Sequence, residues 1–267
     1  MRTLLKYFSL CLLLPLAACT VLPDSGKQAD AGVGANAWTL TPLQPGVAPT
    51  SASAPLWQHY HLPSKQASEF SYTRLDGRHA MAARATASAS LLRQAVHIPL
   101  PDLGSVKFSW KVPSLIAQAD MALRELDDSP VRIVLTFDGD RSMFSARNAM
   151  LSELSHTITG EPLPYATLMY VWCNTRVPGA VIVNPRTDRI RKLVVESGGK
   201  NLNQWQDYER DIRADFEAAF GEPPGALLGI GIMTDSDNTR ANALAWYGPV
   251  KLINSGPFRE IPQAHAR

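Results

Sequence analysis

Oxygen-bearing side chains crowd into two short stretches of this chain, MTDSDNT (233–239) and DGDR (138–141). Asp235, Asp237 and Asn238 in the first are hard donors of the kind calcium takes. The EF-hand pattern fails: counted from Asp235, the sixth place holds Arg240 where Gly is needed, and the twelfth holds Trp246 where Glu is needed. A sandwich-type calcium site on those three residues, an organic-ligand site and a plain turn all remain open. A turn between two strands needs one or two side-chain caps, and this one carries three Asx residues plus Ser236 and Thr239. The surplus leaves carboxylate oxygens available to a site. Close carboxylates repel unless a cation or backbone donors compensate. Arg240 is adjacent and Arg141 lies in the other acidic loop, so compensation needs no metal and little calcium dependence is expected.

Asp138 and Asp140 could pair with Asp235 or Asp237 as an acid/base couple. Glycosidic hydrolysis needs two carboxyl groups roughly 5 to 10 Å apart. The plainer reading of DGDR is a turn leading into a helix. Arg186, in the turn NPRTDR (184–189), could hold a carboxylate or a sugar hydroxyl. Trp172, Trp205 and Trp246 could stack on sugar rings, while Trp110 reads as core. His59 and His61 lack a third ligand for a metal. There is no G-x-S-x-G, H-E-x-x-H, Walker loop or paired C-x-x-C, and Gly229 and Gly231 do not complete a dinucleotide fingerprint. Binding is the leading expectation, and polysaccharide hydrolysis by paired aspartates or a purely structural role are the alternatives.

The elements that must position these residues are mostly strands. EFSYTRLDGRHAMAARA (69–85) reads as a hairpin around Asp76-Gly77. VKFSWKVP (106–113) alternates Val106, Phe108, Trp110 and Val112 against Lys107, Ser109 and Lys111. Further strands are expected at 131–137, 167–173, 179–183, 190–197, 227–233 and 243–253. A helix is expected over 142–158, with Ser142 as cap and Phe144, Leu151, Leu154 and Ile158 near a 3.6-residue period. Residues 203–221 fit one long helix or a strand followed by a helix that stops at Gly221. Whether the two acidic loops share one end of the fold depends on that choice. Many strands with one or two inserted helices imply a mainly β, two-sheet sandwich.

The N-terminus carries a different signal. Arg2 and Lys6 precede the apolar LCLLLPLA (10–17), which is too short to span a bilayer as a resident helix. It closes on LAAC (16–19), which resembles the bacterial lipobox. That resemblance implies a signal peptide over 1–18, cleavage before Cys19 and acylation of Cys19, so the lipid bilayer becomes a partner. Each buried acyl CH₂ is worth about 0.8 kcal/mol, so two or three chains hold a protein on a membrane. Thr20 after the Cys resembles lipoproteins sorted to the periplasmic face of an outer membrane. Residues 19–55 are rich in Ala, Gly, Pro and Ser and read as a tether with a reach of roughly 30 to 35 Å. One domain is expected over 56–260, followed by a tail at 261–267. Without Arg2 and Lys6 the formal +2 vanishes, which argues against non-specific nucleic-acid binding. Cys11 leaves with the signal, so Cys173 is the remaining thiol, and its apolar strand makes it a buried, inert one.

FSWKVP, YVWCNTRVPGAVIVNPRTDR, VVESG, ERDIRADFEAAFG and IGIMTDSDNTRANALAWYGPVKL together resemble a bacterial family, the domain of unknown function numbered 3047. The resemblance covers most of 65–254. It implies a jelly-roll or concanavalin-like sandwich in an exported protein and no particular activity. Compartment, fold and polar loops combine into an expected envelope lipoprotein that binds a glycan through Asp235, Asp237, Asn238, Arg141, Trp172 and Arg186, with no cofactor unless calcium.

Overall fold

The structure, a computed structural model, describes residues 57–255. The signal peptide, Cys19, the tether and the tail lie outside the described residues. Strands are numbered in chain order. One sheet has seven, in the spatial order β1 (Gln58–His61), β4 (Ala89–Ile98), β11 (Leu227–Asp235), β6 (Ser129–Phe137), β7 (Ala166–Cys173), β9 (Ile190–Ser197) and β8 (Val181–Val183). The other runs β10 (Gln206–Asp211), β5 (Ser105–Lys111), β12 (Asn242–Tyr247), β3 (Arg78–Thr86) and β2 (Glu69–Leu75), with β13 (Lys251–Ile253) also paired to β5. Neighbours are antiparallel except β7 and β9, which are parallel. This is the mainly β, two-sheet sandwich, with two inserted helices, α1 (Ala146–Thr159) and α2 (Ile212–Phe220).

Local chemistry explains the elements. Asp76 and Gly77 take φ of 51° and 77°, the two left-handed residues of a type I′ hairpin, and β2 pairs with β3 across them. Alternation on β5 sends Val106, Phe108 and Trp110 into the core, where Phe108 stacks on Tyr170 of the opposite sheet with centroids 5.6 Å apart. Residues 203–221 resolve into a strand followed by a helix. Asp211 caps α2 by accepting from the Ala214 N–H (2.9 Å), and Gly221 ends it in the left-handed region. α2 buries Ile212, Phe216 and Ala219, and Phe216 meets Phe137 edge-on at 4.7 Å. The Asp215 carboxylate, also accepting from Arg210, accepts from the buried Tyr170 hydroxyl (2.9 Å).

α1 departs from the expected reading. Its cap is Ser145, not Ser142, and a short 3-10 turn (Arg141–Met143) capped by Asp140 precedes it. The residues it buries are Asn148 and Ser152, while Leu154 and Ile158 stay exposed. Polar bonds dock it instead: Thr187 donates to Asn148 Oδ1 (2.7 Å), and Asn148 donates to Asp188 (2.7 Å). Strand β4 was not legible, because ASLLRQAVHI mixes faces and buries Gln94.

Phe216→Ala is therefore expected to cost about 3–5 kcal/mol, by lost transfer energy plus a cavity. Leu154→Ala should cost under about 1 kcal/mol. Urea unfolding midpoints check both, and comparable shifts would contradict this difference in packing.

Candidate functional site

The seven-stranded sheet is buried on both faces where β6 crosses it. Val131, Ile133, Leu135 and Phe137 face the core, which turns Arg132 to the outer side. Beside it on that side lie Asp235 of β11, Met169 of β7 and Lys192 of β9, under a segment, 114–128, that folds over the sheet. Arg132 donates from Nε to Asp235 Oδ1 (3.1 Å), and its Nη2 lies 3.0 Å from Oδ2. The same Nη2 donates to the Asp127 carbonyl (2.9 Å) and carboxylate (3.1 Å). Lys192 donates to both Asp127 oxygens (2.6 Å each) and to the Met121 carbonyl (2.8 Å). Asp235 also accepts from the Ser129 N–H (2.8 Å).

Electrostatics follow from burial. Burial pushes the Asp235 carboxyl up to about 6, against the pull of Arg132. Burial also opposes the Arg132 charge, yet Asp235 and Asp127 hold its pKa above the ordinary arginine value. Lys192 is pushed down to about 8, first by burial and then by Arg132, with Asp127 opposing.

Over this charged floor opens a cavity of about 280 Å³. Lys65, Arg124, Asn184, Arg186, Asp237 and Asn238 border it, drawn from four separate segments. The turn after β11 is held from outside: Asp128 accepts from the N–H groups of Asn238 (3.1 Å) and Thr239 (2.7 Å) and from the Thr239 hydroxyl (2.6 Å). Asn238 donates to the Arg124 carbonyl (2.8 Å), and Asp237 is paired with Lys65. Among the described residues, no aromatic side chain lines the cavity.

Four sequence candidates thus meet here: Asp235, Asp237, Asn238 and Arg186. Asp235 is scaffold rather than ligand contact, since both its oxygens are engaged and it is 4% exposed. The cations that compensate the acidic turn are Arg132 and Lys65, not Arg240 and Arg141. One oxygen from each of Asp128, Asp235 and Asp237 falls within 4.8 Å of the others, the arrangement a cation would use. A metal ion would have to displace Lys65 from Asp237 and compete with Arg132 for Asp235.

The other candidates lie elsewhere. In the β6–β11 register Asp235 sits opposite Ser129, whereas Phe137, just before Asp138, sits opposite Leu227. A nine-residue strand separates the acidic loops, roughly 27 Å at the usual rise. Asp138 and Asp140 cannot form an acid/base couple with Asp235 or Asp237 across that distance. Asp138 accepts from Gly139 N–H and Asp140 from Ser142 N–H, the plain turn. Arg141 is exposed at that far end. Trp172 is 1% exposed in the core, donating to the Gly198 carbonyl (3.0 Å), so no sugar can stack on it. Trp205 is half-buried beneath Arg78 and donates to Asp76 (3.1 Å). Cys173 is a free, buried thiol in a small apolar cluster with Met121, Val171, Ile182 and Val194.

Arg132, Lys192, Asp127, Lys65 and Arg124 were missed. A signal for two of them existed: VRIVLTF and IRKLVVES each place a cation inside a run apolar enough to be buried on both faces, and such a charge must find a partner.

Comparison with known proteins adds a family. Residues 55–251 match the model of a protein family described as "Protein of unknown function (DUF3047)". The chain belongs to this family. A search of curated proteins finds no match. Among solved structures, the DUF3047 chain is similar to the family 11 carbohydrate-binding module of the cellulosomal cellulase Lic26A-Cel5E of Clostridium thermocellum. Identity there is 10% over 78% of this chain and 94% of that one, with a TM-score of 0.35. The xyloglucanase domain of NopAA from Sinorhizobium fredii, in complex with cellobiose, is 8% identical over 76% of this chain and all (100%) of that one, also at 0.35. A TM-score of 0.35 is too low to carry a ligand from those chains to this one.

The lowered Lys192 pKa sets the sign of a pH effect. The unfolded chain keeps this lysine protonated into the ordinary lysine range, whereas the folded one releases the proton near 8. Between about pH 8 and 10 the unfolded state binds more protons, so stability should rise with pH there. Above that window the raised pKa values of the half-buried Tyr208 and the buried Tyr247 work the other way. Denaturant titrations across the window should show the rise in the wild type and not in Lys192→Met. A flat wild-type profile would count against a buried, charged Lys192.

Proposed function

We propose that this chain is a lipid-anchored protein of the bacterial envelope whose β-sandwich binds a glycan in the cavity on the outer face of the seven-stranded sheet. One observation carries the binding half: hydrogen-bonding side chains from four distant segments converge on an open cavity whose floor is fixed by buried ion pairs. A preorganised polar rim suits a ligand rich in hydroxyl groups. The LAAC lipobox and the Ala/Gly/Pro/Ser stretch behind it support the anchoring half, with the domain carried on the periplasmic side of an outer membrane. Binding is favoured over hydrolysis because the three carboxylates that line the cavity, Asp127, Asp235 and Asp237, are each committed to a cation.

Retention of the full-length chain on an array of envelope saccharides tests the binding half. Arg186→Ala, at the cavity rim, should weaken it about tenfold, the worth of one good polar contact. Asp140→Ala, at the far end, should leave it unchanged. Release of reducing sugar would point to a hydrolase instead, and no retention on any saccharide would leave a structural role. Cys19→Ser should abolish incorporation of radiolabelled fatty acid and free the protein from the membrane fraction. Undiminished labelling of that variant would refute the anchor.

A further inference from the structure

Five cationic side chains line the cavity, Lys65, Arg124, Arg132, Arg186 and Lys192, against three carboxylates, Asp127, Asp235 and Asp237. Their pairing is uneven. Arg132 is held by Asp235 and Asp127, Lys192 by Asp127, and Lys65 by Asp237. All three carboxylates are thereby used. Arg124 and Arg186 remain, one on the short 3-10 turn Arg124–Leu126 and the other on the loop after β8. Their main chains make hydrogen bonds, through the Arg124 carbonyl and the Arg186 N–H, but neither guanidinium finds an acceptor or ion pair among the described residues.

We propose that the ligand is an anionic saccharide, whose acidic group, a carboxylate or a phosphate, is bound by Arg124 and Arg186. This deepens the glycan reading and rests on it. Three features of the cavity converge on this class. The lining carries an excess of two positive charges, which concentrates anions at its mouth. A guanidinium presents a planar fork that matches a carboxylate or phosphate with two parallel hydrogen bonds. The described lining offers no aromatic platform for stacking on a neutral ring, so its affinity comes from polar and ionic contacts. Asp237 does not repel such a ligand, because Lys65 neutralises it. The buried pairs beneath serve a different end: they hold the two walls in place and leave the ligand's charge to the two uncommitted arginines.

Equilibrium binding of the full-length chain to four probes tests this: an oligogalacturonate, its methyl ester, a sugar 6-phosphate and a neutral cello-oligosaccharide. Binding of the oligogalacturonate, the sugar phosphate or both, well above the ester and the neutral sugar, is expected, and which one binds identifies the acidic group. Arg124→Gln and Arg186→Gln should each weaken that binding about tenfold or more, the effect of losing one charge-assisted contact. Neither guanidinium has a structural partner among the described residues, so the variants should fold, and matching thermal melts verify it. Arg141→Gln should leave affinity unchanged. Affinity should also fall as salt is added. Equal binding of neutral and acidic probes, or indifference to both arginine variants, overturns the inference while leaving a glycan site. Binding of polyglutamate as tight as that of the acidic saccharide overturns it in favour of an acidic peptide. Failure of every saccharide overturns the glycan reading and this inference together.

Discussion

Arg132 is the constraint around which this fold is arranged. A guanidinium placed between Val131 and Ile133 on a strand buried on both faces is all but closed off from water, at 2% exposure. Leaving such a charge unpaired costs several kcal/mol, so everything near it must supply compensation. Asp235 comes from the neighbouring strand, and Asp127 from a loop that has to fold back over the sheet to reach it. Asp127 in turn accepts from Lys192, two strands away. One buried cation thus fixes the end of β11, the course of the covering segment and the spacing of β6 from β9. An apolar core could have been as stable, but it would have specified none of these positions as narrowly.

The covering segment and the turn after β11 lock each other. Asp128, next to Asp127, gathers two backbone N–H groups and a hydroxyl from the turn, while Asn238 returns a bond to Arg124. The acid-rich stretch that looked like a surplus of turn caps is therefore one half of an interlocked pair. Its aspartates divide into a scaffold member, Asp235, and a rim member, Asp237. The rim inherits its rigidity from the floor, which is how a site made of loops can be preorganised.

Strand alternation was legible wherever one face is apolar and the other wet, as on β5, and the Asp76-Gly77 hairpin was legible from its turn chemistry. Strand β4 hid because Gln94 faces the interior and breaks the alternation. The apolar residues of α1 misled because that helix docks through Asn148, a polar contact that hydrophobic period cannot register. Trp172 lay in an apolar run, and its side of the sheet could not be told without knowing which neighbours it has. The separation of the acidic loops was hidden for the same reason: it follows from β6 and β11 being adjacent and antiparallel, a long-range pairing that no local pattern encodes. Asp235, Asp237, Asn238 and Arg186 were legible as candidates, whereas Arg132 and Lys65, the cations that pair with Asp235 and Asp237, were not read as such.

The central placement of β11 has a temporal consequence. Among the described residues it is the strand that bridges β1 and β4 to the rest of the seven-stranded sheet, sitting between β4 and β6 although the chain reaches it last among those seven. Until it has emerged, β4 pairs only with the short β1, and Arg132 has no Asp235. Sheets closed by such distant partners pay their loop entropy before they are rewarded for it. A chain made from its N-terminus must therefore carry its strands, β4 and β6 included, with unpaired edges until β11 arrives. Completion of the fold and formation of the cavity then become a single late event.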